Sequence, residues 1–352
     1  MIIDKNFNPL ENGYVFPAEW EEHEATWLSW PHKEASWPDR IDFIYPAYAQ
    51  FIAELTKGEF VCINVKDQEM QAFAMEHISK AGADISKVEF YFHETNDAWC
   101  RDHGPAFLVN KNGEEPKKII VDWGFNAWGG KYPPFELDDV IPTKIAEEKG
   151  LPVLYPGIIM EGGSVEFNGA GTVLTSKSCL LNKNRNPHLS KEEVEEFLKK
   201  YYGQKQVLWV DDGIVGDDTD GHVDDTIRFV NENTVLTVIE DDPEDDNYEI
   251  LQTNLRQLEE MTLLNGEKLN IIQLPMPDAV YCDGQRLPAS YANFYIANKS
   301  VIVPTYRCDK DAVALEIIQQ CFPDREVVGI DSTDIIWGLG SFHCLSQQEP
   351  LV

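Results

Sequence analysis

The chain repeats one pattern, in which an apolar run, a turn centred on asparagine and a second apolar run follow one another. The pattern occurs four times, at 104–121, 164–175, 226–238 and 293–304. Two short apolar runs joined by a polar turn predict a β-hairpin. Because the hairpins recur roughly every sixty residues, they predict modules arranged about an axis rather than two independent domains.

Stretches with helical periodicity lie between the hairpins, and the clearest is 190–202. Ser190 and Glu193 fit a capping box, and Gly203 is typical of the residue that ends a helix. The periodicity also predicts helices at 46–57, 69–81, 247–264 and 309–321. Each repeat would then contain a hairpin, a helix and a further strand, which predicts an α/β fold.

The balance of charge excludes two kinds of partner. Lys and Arg total 29 against 61 Asp and Glu, so the formal net charge is -32. This charge repels phosphate backbones and anionic membranes, and we expect neither nucleic acid nor a membrane as a partner. The sequence begins Met-Ile-Ile-Asp-Lys and contains no signal peptide or run of twenty apolar residues. It therefore favours a cytoplasmic location.

The metal and cofactor signals in the sequence are weak. Seven cysteines, an odd number without a Cys-x-x-Cys pair, predict neither a disulfide framework nor a zinc site. The acidic run 217–225 fails the calcium-loop pattern, whose first and twelfth positions would be Gly216 and Ile227. The Gly338-Leu339-Gly340 segment lacks the βαβ unit of a dinucleotide site. We therefore expect no metal and no cofactor.

The acidic run contains a single histidine, His222, two residues before Asp224. Alternate residues of an extended segment share a face, so both side chains are expected to point at one ligand. Cys344 lies eight residues from the C-terminus and could bring a thiol to the same ligand. Together the three would supply a nucleophile, a general acid/base and a carboxylate for a positively charged substrate.

Short signatures stand at comparable places in successive repeats, so a radial arrangement would bring them together at the centre. They are 99–102, 161–164, 221–224 and 343–344. Longer ordered motifs cover nearly the whole chain, at 17–23, 26–31, 96–105, 125–130, 161–164, 219–224, 289–298 and 342–348.

These motifs resemble those of the agmatine deiminase family, which is related to bacterial peptidyl-arginine deiminases and to other guanidino-group modifying enzymes. The resemblance implies a five-bladed, pseudo-fivefold α/β propeller, the pentein fold, built from ββαβ modules. Residues 1–352 would form a single catalytic domain with one site on the axis. The implied enzyme is a C–N hydrolase of linear amidines that needs no cofactor.

The resemblance also implies a role for each residue of the site. Cys344 would attack the guanidinium carbon, and His222 would protonate the departing ammonia and then activate water. Glu161 would hold His222 in its working tautomer, as the third member of a triad does. Asp102 and Asp224 would grip the guanidinium, whose planar fork suits bidentate pairing with carboxylates.

Two further residues are expected to contact the rest of the substrate. Trp99 would lie along the methylene chain, although a core tryptophan is the competing interpretation, and Asp218 would bind the distal ammonium. His343 is the weaker candidate for the base, because neighbours on a strand point to opposite faces and Cys344 is its neighbour.

Agmatine, a small cationic guanidine, is the substrate that the sequence favours. The products would be N-carbamoylputrescine and ammonia, a step of polyamine metabolism. An enzyme for arginine needs a cation for the α-carboxylate, and the loop 123–132 offers only Lys131. The segment 338–342 departs from the glycine run and Asn-Ile of many relatives, which leaves the shape of the pocket lip open.

Other functions remain as alternatives at this stage. They are a peptidyl-arginine or other guanidine deiminase, including one that transfers the amidine to an amine, and a non-catalytic polyamine-binding protein. Binding alone needs no nucleophile, so Cys344 with His222 argues against the last of these. A homodimer is the oligomer that base rates favour.

Overall fold

The computed structural model describes residues 2–4, 6–111, 113 and 115–352. Within them the strands are β1 (His23–Ser29), β2 (Phe60–Asn64), β3 (Val88–Tyr91), β4 (Ala106–Val109), β5 (Lys118–Val121), β6 (Val153–Leu154), β7 (Val165–Phe167), β8 (Thr172–Ser176), β9 (Gln206–Val210), β10 (Ile227–Asn231), β11 (Thr234–Ile239), β12 (Asn270–Pro275), β13 (Tyr281–Cys282), β14 (Gln285–Arg286), β15 (Tyr295–Ile296), β16 (Ser300–Thr305), β17 (Glu326–Asp331) and β18 (Ser346–Pro350).

Helices separate the parallel strands of each sheet. In the described ranges they are α1 (Ile41–Leu55), α2 (Gln68–Lys80), α3 (Cys100–His103), α4 (Ala127–Gly130), α5 (Ile141–Lys149), α6 (Lys177–Leu180), α7 (Lys191–Tyr202), α8 (Tyr248–Glu260) and α9 (Lys310–Cys321). The single turn α4 is distorted, because Trp128 and Gly129 have left-handed backbone angles. None of the helices in these ranges is long and apolar enough to cross a membrane.

One strand order recurs through the fold. In β4-β5-β6, β7-β8-β9, β10-β11-β12 and β15-β16-β17 the first pair is antiparallel and the second pair is parallel. A helix fills each parallel crossover, namely α5, α7, α8 and α9. This is the connection that parallel neighbours need. The α/β class expected from the sequence is therefore confirmed, and all four expected hairpins are present.

A further sheet with the same order joins the two ends of the chain. The C-terminal strand β18 pairs antiparallel with β1, and β1 pairs parallel with β2, followed by β3. Glu349 of β18 accepts a hydrogen bond from Trp27 Nε1 at 2.8 Å and contacts Lys118 Nζ at 2.8 Å. The pairing brings Cys344, which precedes β18, beside residues from the first half of the chain.

A helix is present at each of the five predicted places, but two of the predicted helices have the wrong first or last residue. The capping box of Ser190 and Glu193 is present, and Gly203 ends α7 in the left-handed conformation. The helix predicted at 46–57 begins at Ile41, because Pro46 is accommodated inside α1. The helix predicted to reach 264 ends at Glu260 instead. Beyond it, Thr262 pairs with Lys268 in a short bridge.

In the five sheets that contain parallel strands, the segments that precede the first strand meet at one place. α3 precedes β4, Glu161 and a 3₁₀ turn at Gly162–Ser164 precede β7, and a 3₁₀ turn at Val223–Asp225 precedes β10. Asn293 precedes β15, and a turn that contains Cys344 precedes β18. Because one module is repeated, each of these sheets places one or two candidate site residues at a common centre.

Candidate active site

Cys344 lies in a tight turn and is held by the side chain of Asn293. The Asn293 side chain donates from Nδ2 to Cys344 Sγ at 3.0 Å, and its Oδ1 accepts from the backbone N–H of Cys344 at 3.3 Å. The thiol lies 3.6 Å from Asp224 Oδ2. Burial, followed by the charges of Asp224, Asp225 and Asp102, raises the pKa of the Cys344 thiol well above its usual value.

The expectation that His343 and Cys344 point to opposite faces of a strand is wrong. Residues 342–345 form a turn, and β18 begins only at Ser346. Both side chains contact the same oxygen, since His343 Nδ1 lies 2.6 Å and Cys344 Sγ 3.6 Å from Asp224 Oδ2. His343 uses its other ring nitrogen to contact Glu19 Oε2 at 2.8 Å. Carboxylates engage both of its ring nitrogens.

His222 stands at the start of the 3₁₀ turn rather than on an extended segment, so the premise of alternate strand residues is also wrong. Its Nε2 lies 3.4 Å from Glu161 Oε2, and its Nδ1 lies 3.7 Å from Asp102 Oδ1. Burial lowers the pKa of His222, but Asp102, Cys179 and Glu161 outweigh burial and raise that pKa well above its ordinary value. The neighbouring charges therefore favour the imidazolium form of His222.

Asp102 and Asp224 bring two carboxylates to the same space. Asp102 accepts hydrogen bonds from Trp128 Nε1 at 2.8 Å and from the Gly163 N–H at 3.0 Å. Burial raises the pKa of Asp102; His222 opposes this effect, and Asp224 adds to it. Among the described residues, neither Asp224 Oδ1 nor His222 Nδ1 has a hydrogen-bond partner. Buried polar atoms rarely stay unpaired, so these two are candidates to receive a ligand.

Gly163 marks the point at which the polar groups converge. A Cβ on this residue would lie 2.6 Å from His222 Nδ1, 2.9 Å from Asp102 Oδ1 and 3.0 Å from Asp224 Oδ2. The three atoms thus surround one position that only a glycine leaves empty. Since the backbone angle at Gly163 is not left-handed, space around the side chains, rather than conformation, requires glycine here.

Glu161 is held from two sides. Arg185 Nε donates to Glu161 Oε1 at 2.6 Å, and both side chains are completely buried. Burial raises the pKa of Glu161, but His222 and Arg185 lower it more, so the carboxyl is ionised. The Cys179 thiol contributes a longer contact to Glu161 Oε2 at 3.6 Å.

A cavity of about 710 Å³ leads from the buried groups to the surface. Cys344 and Asp102 line its inner end, together with Trp99, and Asp218 lines it farther out. Trp99 packs on Trp37 with ring centroids 5.3 Å apart and is 5% exposed. It is therefore a core residue that also forms a wall of the cavity, and its contact with the methylene chain of a substrate stays a prediction.

A buried ionic network holds Asp224 on the side where it contacts His343. Glu19 accepts from Arg228 at 2.8 Å and from Arg101 at 3.1 Å, and it contacts His343 at 2.8 Å. His343 in turn contacts Asp224 at 2.6 Å. Burial raises the pKa of Glu19, but Arg228 and His343 reverse the shift and lower that pKa well below its usual value. The network fixes Asp224 through a charged chain of contacts.

Sequence reasoning assigned no role to several of these residues. Asn293, Glu19 and Gly163 each lie inside a motif that carries the family resemblance, so those motifs could have indicated that these residues belong to the site. Arg185 lies outside every such motif. Its position beside Glu161 depends on tertiary structure, which the sequence pattern does not reveal.

Two groups of buried side chains have the donor types of a metal site. In the described part of the chain, Glu161, Cys179 and His222 form one such group, and Asp224, Asp225 and Cys344 form the other, with ligand atoms within 4.8 Å of one another. In the first group Arg185 already occupies Glu161 Oε1. We assign no metal to either group, and the expected absence of a metal stays a prediction.

Comparisons with known proteins show the family to which the chain belongs and agree with its fold. A model of the Porphyromonas-type peptidyl-arginine deiminase family matches residues 15–350. An agmatine deiminase of Pseudomonas aeruginosa strain LESB58 is 36% identical, with 97% of each chain covered. The solved agmatine deiminase of Enterococcus faecalis is 33% identical, has a TM-score of 0.91 and covers 99% of each chain. That of C. jejuni with substrate bound is 34% identical, with a TM-score of 0.85 and 96% of each chain covered.

Such similarity over the full chain defines the class as guanidino-group modifying enzymes. The chain belongs to the Porphyromonas-type peptidyl-arginine deiminase family. The expectation of a hydrolase that acts on the C–N bonds of linear amidines is thereby confirmed. The structure brings Cys344, His222, Glu161, Asp102 and Asp224 together, and it sets Trp99 and Asp218 along the same cavity.

Proposed function

We propose that this enzyme is an agmatine deiminase that forms a covalent intermediate on Cys344. One observation carries the proposal: a buried thiol lies 3.6 Å from a carboxylate at the closed end of an acid-lined cavity. Relatives named agmatine deiminase that match nearly the whole chain support the choice of substrate. The reaction would convert agmatine and water into N-carbamoylputrescine and ammonia.

The first chemical step forms a bond between Cys344 Sγ and the guanidinium carbon. A proton from His222 accompanies the C–N bond cleavage that releases ammonia, and a thiouronium group stays on the thiol. His222 then takes one proton from water, and the oxygen of that water bonds to the same carbon. The C–S bond breaks, and the remaining hydroxyl proton passes to the Cys344 sulfur as the carbonyl of the product forms. Nδ1 is the ring nitrogen suited to both transfers, because Glu161 occupies Nε2.

The substrate supplies the charge that the thiol needs. Burial and the nearby carboxylates raise the pKa of Cys344, so the thiol is neutral until a cation binds beside it. A guanidinium between Asp102 and Asp224 would offset these negative charges and favour the thiolate, with the thiol proton passing to solvent. The two carboxylates also hold the planar cation in one orientation, which assists attack at its carbon.

The outer cavity suits an amine better than a carboxylate. Asp218 lines it, and the two cations of its lining are already paired, Lys33 with Asp97 at 3.2 Å and Arg40 with Asp334 at 3.1 Å. An α-carboxylate would meet like charge there, because these cations are engaged. The distal ammonium of agmatine would instead contact Asp218.

The proposal also includes the arrangement of the sheets and the place where the enzyme acts. We interpret the recurring sheets as a five-bladed propeller of ββαβ modules in which residues 1–352 form one catalytic domain. Its recurring strand order and the shared position of the site residues support this arrangement. The seven free thiols are typical of a reducing compartment, which supports the cytosol as the place of action.

The substrate assignment can be tested by measuring ammonia release from agmatine, arginine and a peptide with a C-terminal arginine. We expect kcat/KM for agmatine to exceed that for arginine by at least about a hundredfold, the equivalent of two tenfold steps in binding of the transition state. Comparable values, or faster reaction of the peptide, would overturn the agmatine assignment and leave the deiminase class standing.

The covalent step can be tested with Cys344→Ala, which should abolish turnover but still bind agmatine. The matched control is Cys321→Ala, which removes a thiol that donates to the Ile317 carbonyl within α9. Mass spectrometry of rapidly quenched wild-type enzyme should place the adduct on Cys344. Activity of Cys344→Ala above about a hundredth of wild type would rule out this route.

A further inference from the structure

Arg185 has a completely buried guanidinium that makes contacts in two directions. On one side Nε donates to Glu161 Oε1 at 2.6 Å. On the other side Nη1 donates to Asp220 Oδ2 at 2.7 Å, and Nη2 donates to the Thr219 carbonyl at 2.9 Å. One planar group therefore joins two segments that are 58 residues apart in the chain, Glu161 and Thr219.

The two segments have different parts in the proposed reaction. Glu161 lies 3.4 Å from His222 Nε2 and sets the position of the acid/base. Thr219 and Asp220 directly follow Asp218, the proposed partner of the substrate's distal ammonium. Any shift of the guanidinium of Arg185 would therefore move both ends of the site at once.

On the basis of the proposed function, we propose that Arg185 is a positioning residue that couples proton transfer at His222 to recognition of the distal ammonium at Asp218. A rigid fork suits this task, since its donors have fixed relative directions and each receives a charged or carbonyl acceptor. Water does not compete for these bonds, because the side chain has no exposed surface.

A second support holds the same loop from the surface and does not reach Glu161. Lys131 Nζ contacts Asp220 Oδ1 at 2.7 Å and the Asp218 carbonyl at 2.5 Å, and Tyr132 donates to the Asp218 carboxylate. The Lys131 side chain is 30% exposed. Asn184 Nδ2 also donates to Asp220 Oδ2, at 2.9 Å. The loop thus keeps these contacts when Arg185 is changed, and we expect the variant to lose the coupling while the loop stays in place.

The test uses Arg185→Lys, which keeps the charge and loses the fork, with agmatine and n-pentylguanidine as substrates. The second compound replaces the ammonium of agmatine with a methyl group. We expect kcat to fall about tenfold or more for both, because His222 is displaced. We also expect the ratio of kcat/KM for agmatine to that for n-pentylguanidine to fall about fivefold or more. This ratio does not depend on the fraction of folded enzyme.

The second variant, Asp220→Asn, weakens the far contact of Arg185, together with the contacts of Lys131 and Asn184 to the same carboxylate. It leaves the donor and the acceptor of the Arg185–Glu161 contact unchanged. Coupling predicts that this change lowers the substrate ratio and also lowers kcat for n-pentylguanidine, although Asp220 does not contact Glu161 or His222. Arg325→Lys is the stability control, since this arginine donates to the Ala297 and Trp20 carbonyls outside the cavity lining. It should leave both the ratio and kcat unchanged.

Each other outcome contradicts the coupling. A fall in kcat with an unchanged ratio would limit Arg185 to the His222 end, and a lower ratio with unchanged kcat would limit it to the loop. If wild-type enzyme processes n-pentylguanidine but not agmatine, the proposed function fails. In that case the effect of Asp220→Asn on kcat for n-pentylguanidine still decides whether the two segments are coupled.

Discussion

At the scale of single residues, the site depends on where polar atoms are left without partners. Among the described residues, His222 Nδ1 and Asp224 Oδ1 have no hydrogen-bond partner, while the other polar atom of each side chain is engaged. Supporting groups thus hold one side of each catalytic candidate and leave the other side free. The cationic substrate that we propose would therefore meet polar groups that are already in place.

Gly163→Ala tests this convergence. The added methyl group would lie 2.6 Å from His222 Nδ1 and 2.9 Å from Asp102 Oδ1, so we expect kcat/KM to fall at least about a hundredfold. Overpacking should cost about 1–3 kcal/mol in the free energy of unfolding, and the variant should still fold. Steady-state kinetics and urea unfolding measure the two effects.

Gly157→Ala is the control for that experiment. Its backbone is left-handed, and a Cβ there meets nothing within 4 Å. It should therefore cost about 1 kcal/mol through conformation alone and keep full activity. If Gly163→Ala retains more than about a tenth of wild-type activity, the convergence point is not part of the reacting site.

At the scale of helices and strands, the sequence predicted elements that depend on neighbouring residues, but it did not predict the pairing of strands that are distant in the chain. The capping box of Ser190 and Glu193 depends on neighbours three residues apart, so the sequence predicted α7 correctly. It did not predict α5 (Ile141–Lys149), a nine-residue helix whose short apolar face gives little periodicity. The pairing of β18 with β1 joins opposite ends of the chain, and no hairpin signal marks it.

In the site, too, the sequence predicted the residues that lie in motifs and did not predict a residue that depends on tertiary packing. The family motifs predicted Cys344, His222 and Glu161 as a group. This prediction does not depend on whether each residue is assigned to a strand or to a turn. The argument from strand alternation placed His222 and Asp224 correctly on one site for a wrong reason, because a 3₁₀ turn brings them together. Arg185 could not be predicted, since its contacts to Glu161 and Asp220 arise only from the packing of separate modules.

Ser190→Ala tests the contribution of a local signal at the scale of one helix. The change removes the side-chain acceptor of the Glu193 N–H, so the free energy of unfolding should fall by about 1 kcal/mol. The activity should not change, because Ser190 lies at the end of α7 and outside the cavity lining. Ser79→Ala, on the exposed surface of α2, should leave stability within about 0.5 kcal/mol of wild type. Equal losses in the two variants would contradict the role of the cap.

At the scale of the whole molecule, the formal net charge is -32, and the substrate that we propose for the cavity is a cation. Attraction over several ångströms raises the rate of encounter with a positive substrate, and salt weakens this attraction. The ion pairs inside the site are buried, so salt should affect them much less. The charge of the protein therefore predicts an effect on substrate capture rather than on chemistry.

This prediction can be measured by varying KCl from about 20 to about 300 mM, which shortens the screening length from roughly 20 to roughly 6 Å. We expect kcat/KM for agmatine to fall as salt rises, and kcat at saturating agmatine to stay constant. The single charge of n-pentylguanidine should give about half the slope on a logarithmic scale, because the attraction is proportional to the charge of the ligand. Equal slopes for the two substrates would assign the salt effect to the guanidinium site alone and would exclude long-range capture of the dication.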